Sequence, residues 1–241
     1  MMRIPAERLE GDSQRSSPAP HLALARANTD VLFDGVRIRT SPGLVMTPSS
    51  TTEALVNWAV GWIGSRPLRI ADVGTGSGAI AVAVALRAPA SRIWATDDDE
   101  AAVALARANV RRHGLQGRVR VLLGDLLGPV PGQVDLVVAN LPYQSQARSR
   151  GHARGACSDQ PKHAIYAPGD GLGYYRALLE ECRSRLTLGG VLAIQLYGAV
   201  LAAGHGQLDQ LGQEVERRAH EHEDTSENAC SLPPAQRPRV L

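Results

Sequence analysis

Ala71-Asp72-Val73-Gly74-Thr75-Gly76-Ser77-Gly78-Ala79 stands where an apolar run, residues 68–72, gives way to the helix-forming residues 79–86. Glycines at a strand-to-helix junction let the backbone turn sharply and approach a ligand with no Cβ in the way. Their spacing is G-x-G-x-G and no lysine follows, which separates the turn from the dinucleotide fingerprint and from a phosphate-cradling loop. Outward from it the chain alternates short apolar runs with helical stretches. Strands are expected at 68–72, 92–96, 119–123, 134–140 and 191–196, and helices at 79–86, 100–112 ending near Gly114, and 173–186 ending near Gly189-Gly190. Such alternation is the mark of βαβ units, so the fold class is α/β with a mostly parallel sheet and helices on both faces.

Composition agrees. Of 241 residues 44% are hydrophobic and 21% charged, enough apolar surface for a packed core, and the nine aromatics leave that core to Val, Leu, Ile and Ala. A formal charge of +2 is far from the basic excess of a dedicated nucleic-acid binder. Lys162 is the single lysine among 26 cationic side chains, so arginine reflects a chain-wide bias and its local clusters carry little meaning. No apolar run approaches the ~20 residues of a membrane span, and the polar start has no signal-peptide core. Cys157, Cys182 and Cys230 form no C-x-x-C pair and read as reduced thiols. The expectation is a cytoplasmic monomer without a membrane or metal role.

Three segments are expected: a flexible leader at 1–20, a β-wing and helix at 21–66, and the main domain at 67–241. In the second, Val31-Leu32-Phe33 and Val36-Arg37-Ile38-Arg39 flank Asp34-Gly35, a tight hairpin signal. Ser50 and Glu53 have capping-box spacing ahead of a helix of about four turns, where Leu55, Trp58, Ala59, Trp62 and Ile63 share one face.

Acidic residues at the next strand ends identify a ligand class. Asp97 follows Gly78 by nineteen residues, where a carboxylate can accept both hydroxyl hydrogens of a ribose. Asp125 can accept from an adenine amino group while Leu126 lies along the ring. An adenosine with a cationic, phosphate-free tail is S-adenosylmethionine, so the cofactor residues expected are Asp72, Gly74, Thr75, Gly76, Ser77, Gly78, Asp97, Asp98, Asp125, Leu126 and Asn140. Asp98, with Asp99, also falls at the cap of the following helix. The fourth strand ends in Asn140-Leu141-Pro142-Tyr143, on the same rim of the sheet. The Asn140 side-chain oxygen and the Leu141 carbonyl can accept the two hydrogens of a planar NH2 group, and Tyr143 can stack on it. These four are the expected catalytic residues, acting by positioning without a strong base.

The tetrad, the glycine turn, Asp97, the stretch 160–172 and the segment containing Pro48, Thr52 and Glu53 resemble the peptide chain release factor glutamine methyltransferase family, from about Val31 through Gly198. The resemblance implies a Rossmann-like class I methyltransferase, with a seven-stranded sheet whose last strand pair is antiparallel. It also implies methylation of the glutamine amide in a release factor's Gly-Gly-Gln loop. Leu141 stands where that family has proline, Thr47 where it has the arginine of R-P-x-T-E, Gln160 where it has the glutamate of E-P, and Gln195 where it usually has glutamate. The leader is expected to be too short for the helical domain that precedes the catalytic domain in bacterial members. N-L-P-Y also occurs in adenine dimethylases of ribosomal RNA, so N6-adenine methylation of RNA or DNA is the alternative, followed by a non-catalytic S-adenosylmethionine-binding module. The basic loop at 144–154 could touch RNA but reads better as solvated, and His220-Glu221-His222-Glu223-Asp224 lacks metal-ligand spacing.

Overall fold

The computed structural model describes residues 29–145, 160–167 and 169–196. Its first element is the expected hairpin, β1 (Thr29–Phe33) against β2 (Val36–Thr40), with Phe33 opposite Val36. Asp34 and Gly35 turn between them at φ of 49° and 74°, the pair of positive angles that a two-residue turn of matching twist demands. Helix α1 (Glu53–Ile63) follows and is three turns long, not four. Its start corrects the capping-box expectation. Ser49, not Ser50, caps a 3-10 turn over Ser50–Thr52 by accepting the Thr51 N–H, and Glu53 reaches the Asp34 N–H at 3.0 Å instead of folding back on Ser50. The carboxylate thereby satisfies a donor of the hairpin turn.

The remainder is built from β3 (Arg69–Val73), α2 (Ala79–Arg87), β4 (Arg92–Asp97), α3 (Glu100–Arg112), β5 (Val119–Leu123) and β6 (Val134–Ala139). After them come the two-residue strands β7 (Gln144–Ser145) and β8 (Tyr166–Ala167), then α4 (Gly173–Arg185) and β9 (Leu186–Ile194). Five of these strands form a parallel sheet in the order β5-β4-β3-β6-β9. The chain reverses its direction of travel across the sheet between β3 and β6, so a crevice opens at their carboxyl ends, where ligands of such sheets bind. The two further strands expected, with the 239–241 end, lie outside the described residues. So do the leader, positions 146–154 of the basic loop, Cys157, Cys230 and the 220–224 cluster.

Strand β9 starts five residues before its expected position. Gly189-Gly190, read from the sequence as a helix end, lies inside the strand: the register against β6 slips between Val134 and Leu136, and a Cβ on Gly190 would stand 2.8 Å from the Thr187 carbonyl oxygen. The glycines thus serve a bulge, a feature that apolar periodicity does not mark.

Two cores flank the sheet. On one face α2, whose residues 79–85 are all buried, packs with α1, α3 and the hairpin's Phe33 and Ile38. Burying each of those two side chains contributes about 2 kcal/mol. Asn109 of α3 welds hairpin to sheet, accepting the Arg39 N–H at 2.9 Å and donating to the carbonyls of Arg39 (2.9 Å) and Ser77 (2.8 Å). On the other face α4 brings Tyr175, Leu178, Leu179 and Cys182 against Leu127, Val130 and Leu141. Burial pushes the Cys182 thiol up to about 12, so it packs as an apolar group. Trp58 and Trp62 stack along α1 with centroids 6.4 Å apart, and the Arg66 guanidinium covers Trp62. No helix among the described residues is long and apolar enough to cross a membrane.

Candidate active site

The glycine turn is held by the strands beside it. Gly74 and Thr75 both donate to the Thr96 carbonyl at 2.9 Å, and Gly74, Gly76 and Gly78 take φ of 69°, 55° and 79°. At Gly74 space is also decisive, because a Cβ there would stand 2.5 Å from Leu141 Cδ2. Beneath the turn Asp72 is wholly buried and accepts from the Thr75 hydroxyl (2.6 Å) and the Ala81 N–H (3.1 Å) through Oδ2, while Oδ1 has no partner. Burial pushes this carboxyl up to about 7, although both hydrogen bonds oppose the rise.

At the end of β4, Asp97 Oδ2 accepts the Gly76 N–H (2.8 Å) and Oδ1 the Asp99 N–H (3.1 Å). Burial raises its pKa as well. Asp99 caps α3 by accepting from Ala101, as expected, and its other oxygen lies 3.4 Å from His163 Nε2. Beyond β5, Gly124 and Leu126 have φ of 148° and 41°. A leucine in the left-handed region is uncommon, and the Thr96 hydroxyl, donating to its carbonyl at 2.7 Å, helps hold it there.

At the end of β6, Asn140 Nδ2 donates to Thr52 Oγ1 at 3.1 Å. The Leu141 peptide is bound on both sides by the buried Tyr175 hydroxyl: its N–H donates to that oxygen and its carbonyl accepts from it, each at 3.0 Å. The same hydroxyl lies 2.9 Å from the Gln195 carbonyl, so one proton is shared between two acceptors.

These strand ends surround one crevice. Of the residues expected at the cofactor, Gly74, Gly76, Asp97, Asp98, Asp125, Leu126 and Asn140 line it. Asp72, Thr75, Ser77 and Gly78 stand behind it and shape the turn. Leu141 and Pro142 line it too; Tyr143 and Tyr174 both pack on the α4-side core, and of the two it is Tyr174 that lines the wall. Val45, Met46, Ala102, His163 and Ala164 also line it and were not singled out. His163 and Ala164 lie within the 160–172 stretch that carries the resemblance; Val45 and Met46 sit in a loop without a motif. Among the described residues no lysine or arginine lines the walls, and three acidic side chains besides Asp99 do. Among the described residues no group of three His, Cys, Asp or Glu could hold a metal ion.

Residues 62–164 match a family described as the methyltransferase small domain. A release factor glutamine methyltransferase of Gloeobacter violaceus is 37% identical over 154 residues, 63% of this chain and 54% of the relative, so the chain spans about half the length of that protein. A ribosomal protein L11 methylase of Lactobacillus delbrueckii subsp. bulgaricus shares the fold, with a TM-score of 0.52, 24% identity, and coverage of 74% of this chain and 75% of that one. A release factor glutamine methyltransferase of Mycolicibacterium smegmatis is 31% identical over 193 residues, covering 76% of this chain and 68% of its own. With agreement over that much of a relative's length, the chain belongs to the release factor glutamine methyltransferase family.

Proposed function

We propose that the protein is an S-adenosylmethionine-dependent N-methyltransferase whose acceptor is the side-chain amide of a glutamine in a peptide chain release factor. The observation that carries the reading is the contact between Gly74 and Leu141, which puts the glycine turn and the Asn140 loop on one crevice. The walls fit the cofactor. Among the described residues a phosphate would meet four carboxylates and no lysine or arginine, whereas a sulfonium and an ammonium are favoured there.

S-adenosylmethionine, when bound, supplies an electrophilic methyl group on sulfur. Asp97, at the end of β4, accepts hydrogen bonds from the ribose hydroxyls with the lone pairs its backbone donors leave free. Asp125 accepts from the adenine amino group, and Leu126 covers the ring. The Asn140 Oδ1 and the Leu141 carbonyl, the latter through the lone pair that the Tyr175 hydroxyl leaves, accept the two hydrogens of the incoming amide, so the nitrogen presents its density toward the glycine turn. As positive charge grows on that nitrogen both acceptors bind its hydrogens more strongly, which lowers the barrier without a base of high pKa. Pro142 at the wall and Tyr174 confine the flat amide group.

The test is transfer of labelled methyl from S-adenosylmethionine to a release factor, with mass spectrometry of the loop peptide and a loop Gln→Ala control. Label on that glutamine, abolished by Asn140→Ala, is the expected result. Label that resists protease and is lost to nuclease would move the acceptor to adenine, and no label with retained cofactor binding would leave a non-catalytic module.

A further inference from the structure

Thr52 immediately precedes α1 and is 4% exposed. A threonine at the start of a helix ordinarily uses its hydroxyl on an N–H of the first turn. Thr52 makes no such cap and already has helical angles, φ −77° and ψ −15°. Its Oγ1 is spent instead on Asn140 Nδ2, across 88 residues of chain.

The consequence lies at the other end of the amide. Asn140 carries a donor and an acceptor on one planar group, and a half-turn about its last bond exchanges them. Holding Nδ2 against Thr52 leaves Oδ1 for the crevice that Asn140 lines. Thr52 is itself braced. Its N–H donates to the Ser49 carbonyl at 2.9 Å, Glu53 beside it holds the Asp34 N–H of the hairpin turn, and Thr51 Oγ1 accepts from Gln195 Nε2 at the end of β9 at 3.3 Å. Asp34 is gripped in turn by Arg87 of α2 at 3.0 Å. The wing, α2 and the end of the sheet are therefore tied to residues 51–53, which carry that hydroxyl.

We propose that Thr52 is a positioning residue for methyl transfer, its hydroxyl anchoring the Asn140 side-chain amide at the crevice, with Nδ2 against Thr52 and Oδ1 left for the acceptor group. It is not itself among the residues lining the crevice. The proposal rests on the N-methyltransferase reading above, and the experiment separates the two.

Thr52→Val keeps the volume and removes the hydroxyl; Thr52→Ser keeps the hydroxyl. The Val variant is expected to lose on the order of ten- to a hundredfold in kcat, the scale of a misplaced reacting group. KM for the release factor and Kd for S-adenosylmethionine should stay within about threefold, and Ser should restore kcat to within about threefold. Wild-type kcat in the Val variant, a loss confined to KM, or a loss that Ser does not restore would overturn the proposal. If the Val variant does not fold, Thr52→Ala takes its place under the same criteria. If wild-type protein transfers no label to any acceptor, the activity reading fails, and Thr52 is judged on the side-chain NH2 resonances of Asn140, assigned by their absence in Asn140→Ser. Removal of the hydroxyl should then shift or broaden that pair while the remaining spectrum holds, and an unmoved pair overturns the assignment.

Discussion

Asp72→Asn tests whether the glycine turn rests on a carboxyl that holds its proton. In the fold both oxygens of Asp72 are out of water, Oδ2 bonded to Thr75 and Ala81 and Oδ1 to nothing, and burial lifts the pKa from 3.8 to about 7. The folded chain therefore keeps a proton between about pH 4 and about pH 7 that the unfolded chain has released. With more protons on the native side, unfolding free energy falls as pH rises through that window, by about 1.4 kcal/mol per pH unit, or about 4 kcal/mol in all. The contribution is fully present below the ordinary carboxylate range and is gone above about 7. Asparagine keeps an acceptor for Thr75 and Ala81, places an NH2 at the orphaned oxygen's position, and does not titrate. Urea denaturation followed by tryptophan fluorescence, at steps from about pH 4.5 to about pH 7.5, gives the difference in stability between wild type and variant. In that difference groups that do not interact with Asp72 cancel, including Asp170, which Arg176 holds down to about 2. The difference should move in favour of the variant by several kcal/mol as pH rises. A difference that stays flat would refute the argument that this carboxyl is protonated in the fold.

Asp97→Ala should weaken S-adenosylhomocysteine binding in calorimetric titration, whereas Asn140→Ala should abolish turnover and leave that affinity within a few-fold; a reversed pattern would contradict the division of roles. Gly74→Ala meets both a φ of 69° and the Leu141 side chain, while Gly114→Ala has a φ of 66° and nothing within 4 Å. Denaturation should show about 1–2 kcal/mol lost at Gly114 and about 1–3 kcal/mol more at Gly74, with cofactor affinity reduced only by the latter. Tyr175→Phe leaves the buried Leu141 N–H unpaired and removes the shared proton from two carbonyls, so a loss of about 1–3 kcal/mol in unfolding free energy is expected, together with reduced kcat.

Most of the sheet could be read from the chain because its signals are local. The run at 134–140 is nearly continuous in apolar character, the runs at 92–96 and 119–123 are short and apolar-rich, helix 100–112 carries its own cap in Asp99, and Asp34-Gly35 encodes a turn by the angles it tolerates. What escaped was set by partners distant in sequence. The bulge at Gly189-Gly190 depends on β6, and Glu53 chose the Asp34 N–H over Ser50 because the hairpin was within reach. Tyr143 was singled out by its place in the tetrad, and Tyr174, in no motif, was not. Only the packing of α4 decides that Tyr174 faces the crevice.

The departures from the family pattern become intelligible by the same route. Thr47 and Gln160, which replace an arginine and a glutamate, meet in the structure: Gln160 Oε1 accepts the Thr47 N–H at 2.8 Å. A side-chain oxygen is still supplied at position 160, now from a neutral amide, and its donor is backbone, so this chain joins the 41–49 loop to the 160–167 segment with no charge on either partner. Those two segments carry Val45, Met46, His163 and Ala164 to the crevice wall, and the bond fixes one against the other. At position 141, leucine for proline keeps the carbonyl that the chemistry requires and adds an N–H, which would be a buried liability were it unpaired. Tyr175 takes it, and the same hydroxyl reaches the carbonyl, so the substitution binds the reactive loop more tightly to α4 than a proline at that position could. The tetrad with leucine therefore gains an anchor to α4 that proline lacks.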